Sequence, residues 1–145
     1  MKIAAVILLV FFAAAPSWAV LGQRVQSVHS DQQRMRGQLR SVSRQGYTVQ
    51  QITSPGGVVN EYVSPDGIVF GVSWQGLTVP NLSQLLGSYF KQFQQAARSS
   101  AKRRHAVVFR TDQLVVESGG HMRGFRGRAY VPALIPRNVS PSVVQ

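Results

Sequence analysis

From Tyr47 onward, apolar and polar positions alternate with a period of two. Tyr47 to Thr53, Val58 to Val63 and Ile68 to Trp74 are runs rich in β-branched and aromatic residues. Such alternation predicts strands that bury one face. The runs are separated by Ser54-Pro-Gly-Gly57 and Ser64-Pro-Asp-Gly67. In each, proline presets φ and the following glycine accepts left-handed geometry, so tight turns and a three-stranded meander are expected. On the third run a regular strand would put Ile68, Phe70, Val72 and Trp74 on one side, and these are expected in the core.

The period then changes to that of a helix. Leu82, Leu85, Leu86, Tyr89, Phe90, Phe93, Ala96 and Ala97 form a continuous apolar stripe, with Asn81 as the natural N-cap, predicting one main helix over about 81–98. Three further strand candidates follow: Ala106 to Arg110, Leu114 to Ser118 and Met122 to Val131. Ahead of the first strand, Ser30 as an N-cap and the run from Arg34 to Arg40 read as a short helix, or equally as a mobile basic arm, because Gly37 interrupts it. The expected order is α-β-β-β-α-β-β-β. This is an α+β fold with an antiparallel sheet of about six strands and the main helix packed on one face. The two halves share no residue-level repeat. Residues 20–45 are assigned to a basic N-terminal segment, 46–131 to the α+β domain and 132–145, with Pro132, Pro136 and Pro141, to an irregular tail.

The stretch Glu117-Ser-Gly-Gly-His-Met-Arg-Gly-Phe-Arg-Gly-Arg-Ala-Tyr130 concentrates glycine, histidine and arginine. With Gly119-Gly120 as a two-residue turn, Ser118 faces His121, Glu117 faces Met122 and Leu114 faces Phe125. Leu114, Val116 and Phe125 then share one side, while Arg126, Arg128 and Tyr130 occupy the other. Two outward arginines beside a tyrosine form a phosphate or carboxylate clamp, which Lys102, Arg103 and Arg104 would extend; the alternative is a solvated strand face. Ser118 and His121 with Glu117 invite a hydrolase, but strand neighbours alternate faces, and a catalytic triad is defined by spatial roles. His29, His105 and His121 lie far apart without ligand spacing, so no metal is expected, and no motif calls for a cofactor.

At the N-terminus, Lys2 precedes an apolar run from Ile3 to Ala15 and then Pro16-Ser-Trp-Ala19. This has the form of a secretory signal peptide spanning 1–19 and cleaved near Ala19. Its apolar run is shorter than the roughly 20 residues a spanning helix needs, so no transmembrane helix is expected in the mature protein. The chain has no cysteine and therefore no disulfide and no thiol chemistry. It carries 16 Lys plus Arg against 5 Asp plus Glu, a net charge of +11. An exported domain so rich in arginine is drawn to anionic partners: lipid head groups, lipopolysaccharide phosphate, acidic glycan or an acidic protein. Export argues against nucleic acid, although the arginine-glycine-aromatic texture would suit single strands.

Val20-Leu-Gly22, Glu61-Tyr-Val-Ser-Pro-Asp-Gly-Ile-Val-Phe-Gly-Val-Ser-Trp-Gln-Gly76, Leu82 to Phe93 and the block Leu114 to Val139 together resemble a proteobacterial family of small exported proteins catalogued as domain of unknown function 2844. The resemblance covers essentially the whole mature chain and implies an envelope location, periplasmic or secreted. It brings no activity, cofactor or catalytic residue. The expectation is a non-catalytic envelope protein that binds an anionic partner. The alternatives are a periplasmic hydrolase using Ser118 and His121, or a structural or assembly partner of another envelope protein.

Overall fold

The computed structural model describes residues 20–99 and 106–145. The expected leader and its cleavage site, and the basic run Lys102-Arg103-Arg104, lie outside the described residues. The elements are α1 (Ser27–Met35), β1 (Gln38–Arg44), β2 (Tyr47–Ser54), β3 (Gly57–Val63), β4 (Val69–Gly76), α2 (Leu82–Leu86), α3 (Phe90–Ser99), β5 (Ala106–Arg110), β6 (Val115–His121) and β7 (Gly124–Tyr130). All seven strands form one antiparallel sheet in the order β1-β2-β3-β4-β7-β6-β5. Two meanders therefore meet through their last strands, β4 and β7, at the middle of the sheet.

The α+β class holds, with seven strands in place of six. The additional strand is β1, in the segment read as helix or arm. Its only apolar residues are Leu39 and Val42, a weak pattern that suffices because β1 is an edge strand paired along its length with β2. Helix α1 begins at Ser27, one turn before the expected Ser30 cap, with no side-chain cap and with Val28 packed into the core. It ends at Arg36, which is left-handed at φ 49°.

One face of the sheet carries the main core. Val59, Val63, Val72, Trp74, Val116 and Ala129 pack beneath Val28, Leu85, Leu86 and Phe93, together with Val20 and Leu21. The expected set on the third strand is corrected at two positions. Tyr62 pairs with Gly71 and Val63 with Val69, so Phe70 is an extra residue in a β-bulge. The bulge turns Phe70 to the opposite face, where it is fully buried, and Ile68 lies before the strand in a bridge to Arg24.

The main helix is also corrected: it is broken at Gly87, whose φ of 51° and ψ of −122° only glycine adopts readily, and a 3₁₀ turn at Gly87–Tyr89 links α2 to α3. The break leaves the apolar stripe on the core. Asn81 caps α2 as expected, its side chain accepting a hydrogen bond from the Gln84 amide at 3.3 Å. Asn81→Ala is therefore expected to cost about 1 kcal/mol, read as a lower urea midpoint. An unchanged midpoint would mean that packing alone holds this helix end.

On the opposite face the C-terminal segment, irregular apart from 3₁₀ turns at Pro132–Leu134 and Pro141–Val143, lies against the sheet as a strap. Val139 and Val144 are buried with Tyr62 and Phe70 in a second cluster, supported by Tyr47, Val49 and Tyr130. Tyr47 meets Phe70 edge-on with ring centres 6.1 Å apart. The Tyr62 hydroxyl and Ser73 Oγ both donate to the main-chain oxygen of Gln145, at 2.7 and 2.9 Å.

Candidate functional site

The strap covers only part of its face. Two rows of residues run across the strands on this face, exposed or half-buried except for Ser73, which lies beneath Gln145. One passes through Thr53, Val58, Gln75, Arg126 and Gly119, the next through Arg40, Gln51, Asn60, Ser73, Arg128 and Glu117. In the second row Gln51 donates to Asn60 at 3.0 Å and Asn60 to Ser73 at 3.4 Å, a ladder of amides that ends at the strap. Where these rows cross β4, β7, β6 and β5 the surface dips into an open trough of about 1070 Å³, bordered by Ser73, Gln75, Glu117, Arg126, Arg128 and Gln145.

The hairpin that builds the trough differs from expectation in register. Glycines 119 and 120 lie within β6, and the turn is Met122-Arg123, with Arg123 at φ 69°. Glu117 accordingly faces Arg128 and not Met122, and Ser118 faces Gly127 and not His121. The new register joins opposite charges and leaves room for Trp74. A Cβ on Gly127 would stand 2.3 Å from the indole Cζ2. Because the pairing shifts by an even number of residues, the faces survive: Arg126, Arg128 and Tyr130 still share one side, and Val116 shares the other with Phe125.

The expected cationic clamp is divided by this arrangement. Arg128 Nε donates to Glu117 Oε2 at 2.9 Å, and its Nη1 to the Val144 main-chain oxygen at 3.2 Å. Arg110 Nη2 holds the other Glu117 oxygen at 2.6 Å. The Arg110 hydrogen bond, with Arg128 beside it, keeps the Glu117 carboxyl below its ordinary range. Arg128 is thus a staple between sheet and strap, and Tyr130 is half-buried under the strap in the second cluster. Arg126 remains exposed on the trough. Ser118 and His121 both border the trough, but register places Ser118 on the core side of β6 and His121 on the strap side.

A pair of carboxyls escaped the sequence reading. Glu61 lies on the core face of β3 between Val59 and Val63, fully buried, and neither of its oxygens has a hydrogen-bond partner. Asp31 of α1 is buried nearby; Gln84 of α2 donates to its Oδ1, while Oδ2 is unpartnered. Burial first, then the neighbouring Asp31, pushes the Glu61 carboxyl well above its ordinary range, and burial raises that of Asp31. The signal was available: in a strand where Val59 and Val63 face inward, so must residue 61. Among the described residues no group of three or more histidines or acids comes together to hold a metal ion, and no helix is long and apolar enough to cross a membrane.

These features define a class: an α+β domain in which one seven-stranded antiparallel sheet is covered by helices on one face and by a C-terminal strap on part of the other, leaving an open trough of largely apolar walls on which Arg126 is exposed. The chain belongs to the family of proteins of unknown function DUF2844, whose model matches residues 17–144. No curated protein and no solved structure matches the chain.

Proposed function

We propose that this chain is an exported envelope protein, processed near Ala19, whose domain is a non-catalytic binding module for an anionic partner, with Arg126 and the open trough at its contact surface. The observation that carries this reading is the distribution of acids. Of the five, Asp31 and Glu61 are enclosed in the core and Glu117 is held between two arginines, which leaves Asp66 and Asp112 exposed and without an ion pair among the described residues. Every described cation except Arg128 is exposed. The surface is therefore more basic than the composition implies, and basic surfaces concentrate polyanions. Ser118 and His121, on opposite faces of β6, give the hydrolase reading no support.

Binding to heparin or to lipopolysaccharide at low ionic strength tests the proposal. Arg126→Gln is expected to weaken it about fivefold, as for one basic residue at an anionic surface, with an unmoved thermal midpoint. Binding should also fall steeply with salt, since exposed charges are screened beyond about 8 Å at physiological ionic strength. Arg128→Gln should instead lower the midpoint, because it leaves Glu117 and the strap short of a donor. Absence of binding to either polyanion at low salt would overturn the reading, and N-terminal sequencing of envelope protein that begins at Met1 would overturn the processing.

A further inference from the structure

The strand directions give the sheet two ends with different chemistry. At one end lie the β3–β4 turn, which carries Asp66, and the β5–β6 turn, which carries Asp112; both exposed acids are therefore there. At the other end lie the β6–β7 turn, the exit of β4 and the start of β1. This second end holds three of the four large exposed apolar side chains among the described residues: Met122, 88% exposed, on the β6–β7 turn, and Leu77 and Val79, 55% and 43% exposed, just past β4. Gly76 pairs with Phe125, so Leu77 and Met122 leave the ends of adjacent strands, which run only about 4.8 Å apart. Arg123, on the same turn as Met122, and Arg126, paired with Gln75 of β4, are exposed beside them, and no exposed acid accompanies them among the described residues.

Apolar side chains on strand tips, with two exposed arginines beside them and at the end of the sheet away from both exposed acids, match neither a soluble polyanion, which offers nothing to Met122 and Leu77, nor a neutral apolar surface, which offers nothing to the arginines. An anionic bilayer offers both: phosphate oxygens at the depth of the guanidinium groups and acyl chain just below. We infer that this end of the sheet docks on membranes containing anionic phospholipid, with Met122 and Leu77 entering the interface and Arg123 and Arg126 binding head-group phosphates. The inference rests on the anionic-partner reading and names the source of the anion.

The lack of cysteine makes a direct test simple. Met122→Cys, Leu77→Cys and, at the opposite end, Asp112→Cys are each labelled with an environment-sensitive nitrobenzoxadiazole dye on the protein as cells accumulate it. Each is titrated with vesicles of phosphatidylcholine alone or with phosphatidylglycerol added. The expected result is a blue shift and several-fold brightening at 122 and 77 with phosphatidylglycerol vesicles only, and none at 112. Arg123→Gln together with Arg126→Gln should raise the lipid concentration needed about thirtyfold, by the usual contribution of two basic residues. A shift at all three positions, or at none, overturns the docking inference. Heparin binding without any dye response would leave the anionic-partner reading standing and remove the membrane from it; failure with both probes would remove both.

Discussion

Trp74→Ala is expected to remove about 3–5 kcal/mol of stability, the largest effect of any single substitution considered for this fold. The indole is 3% exposed and lies on the core face of β4, in the row that joins Val59 of β3 to Gly127 of β7. It crosses β7 in the space that Gly127 leaves open, so it ties together the two meanders whose contact at β4 and β7 holds the sheet as one. Its loss would leave a cavity lined by glycine, which has no side chain to collapse into it. The urea midpoint measures the cost. A drop below about 0.5 kcal/mol, the range of ordinary surface substitutions, would refute the central position of Trp74. Gly127→Val supplies a second reading from the other side of the contact, since its side chain would have to displace the indole or the Glu117 main-chain oxygen, 2.8 Å from its Cβ.

The second large effect is a stability that falls as pH rises. Glu61 is held protonated in the fold, because burial and the nearby Asp31 push its carboxyl well above the ordinary value of 4.5, whereas in the unfolded chain it ionises near that value. The folded state thus binds the proton more tightly. Below the unfolded value both states are protonated and nothing is lost; above it, stability declines until the folded carboxyl itself ionises. The slope is about 1.4 kcal/mol per pH unit for each such proton, and Asp31, raised in the same direction, adds to it. Urea midpoints in the natural protein should therefore fall as pH rises above about 5 and level off once the folded carboxyl ionises. Glu61→Gln, which cannot ionise, should show a flatter profile and the higher midpoint at pH 8. Parallel profiles for the two proteins would refute the assignment of the slope to Glu61.

Much of the local structure was legible in the chain. Period-two runs located β2, β3 and β4, the proline-glycine turns located the β2–β3 and β3–β4 hairpins, and Asn81 marked the start of α2. The side of β7 occupied by Arg126, Arg128 and Tyr130 was legible too, because alternation of faces outlasts an even shift of register. Less legible was β1, whose alternation is thin because one of its edges and much of both its faces meet water. Gly119-Gly120 misled in a specific way: glycine serves turns and close approaches equally well, and only the neighbour decides which. A Cβ on Gly120 would stand 2.3 Å from the Gly124 main-chain oxygen, a contact across the ladder that no local pattern reports.

The sequence by itself determined most of the strands, the apolar stripe of α2 and α3, the α+β class, the absence of thiol chemistry and the excess of arginine, since each depends on the period, the turn chemistry or the count of nearby residues. Tertiary structure alone decided the rest. Long-range pairing made Arg128 a partner of Glu117 and of the strap, leaving Arg126 as the cation on the trough. The bulge at Phe70 moved an aromatic from one core to the other. Packing of α1 against the sheet brought Asp31 close to Glu61 across 30 residues of chain and withdrew two of the five acids from the surface. In each case the physical reason is the same: a side chain's charge, burial and partner are set by neighbours that the fold supplies, and those neighbours lie too far along the chain for any local pattern to name.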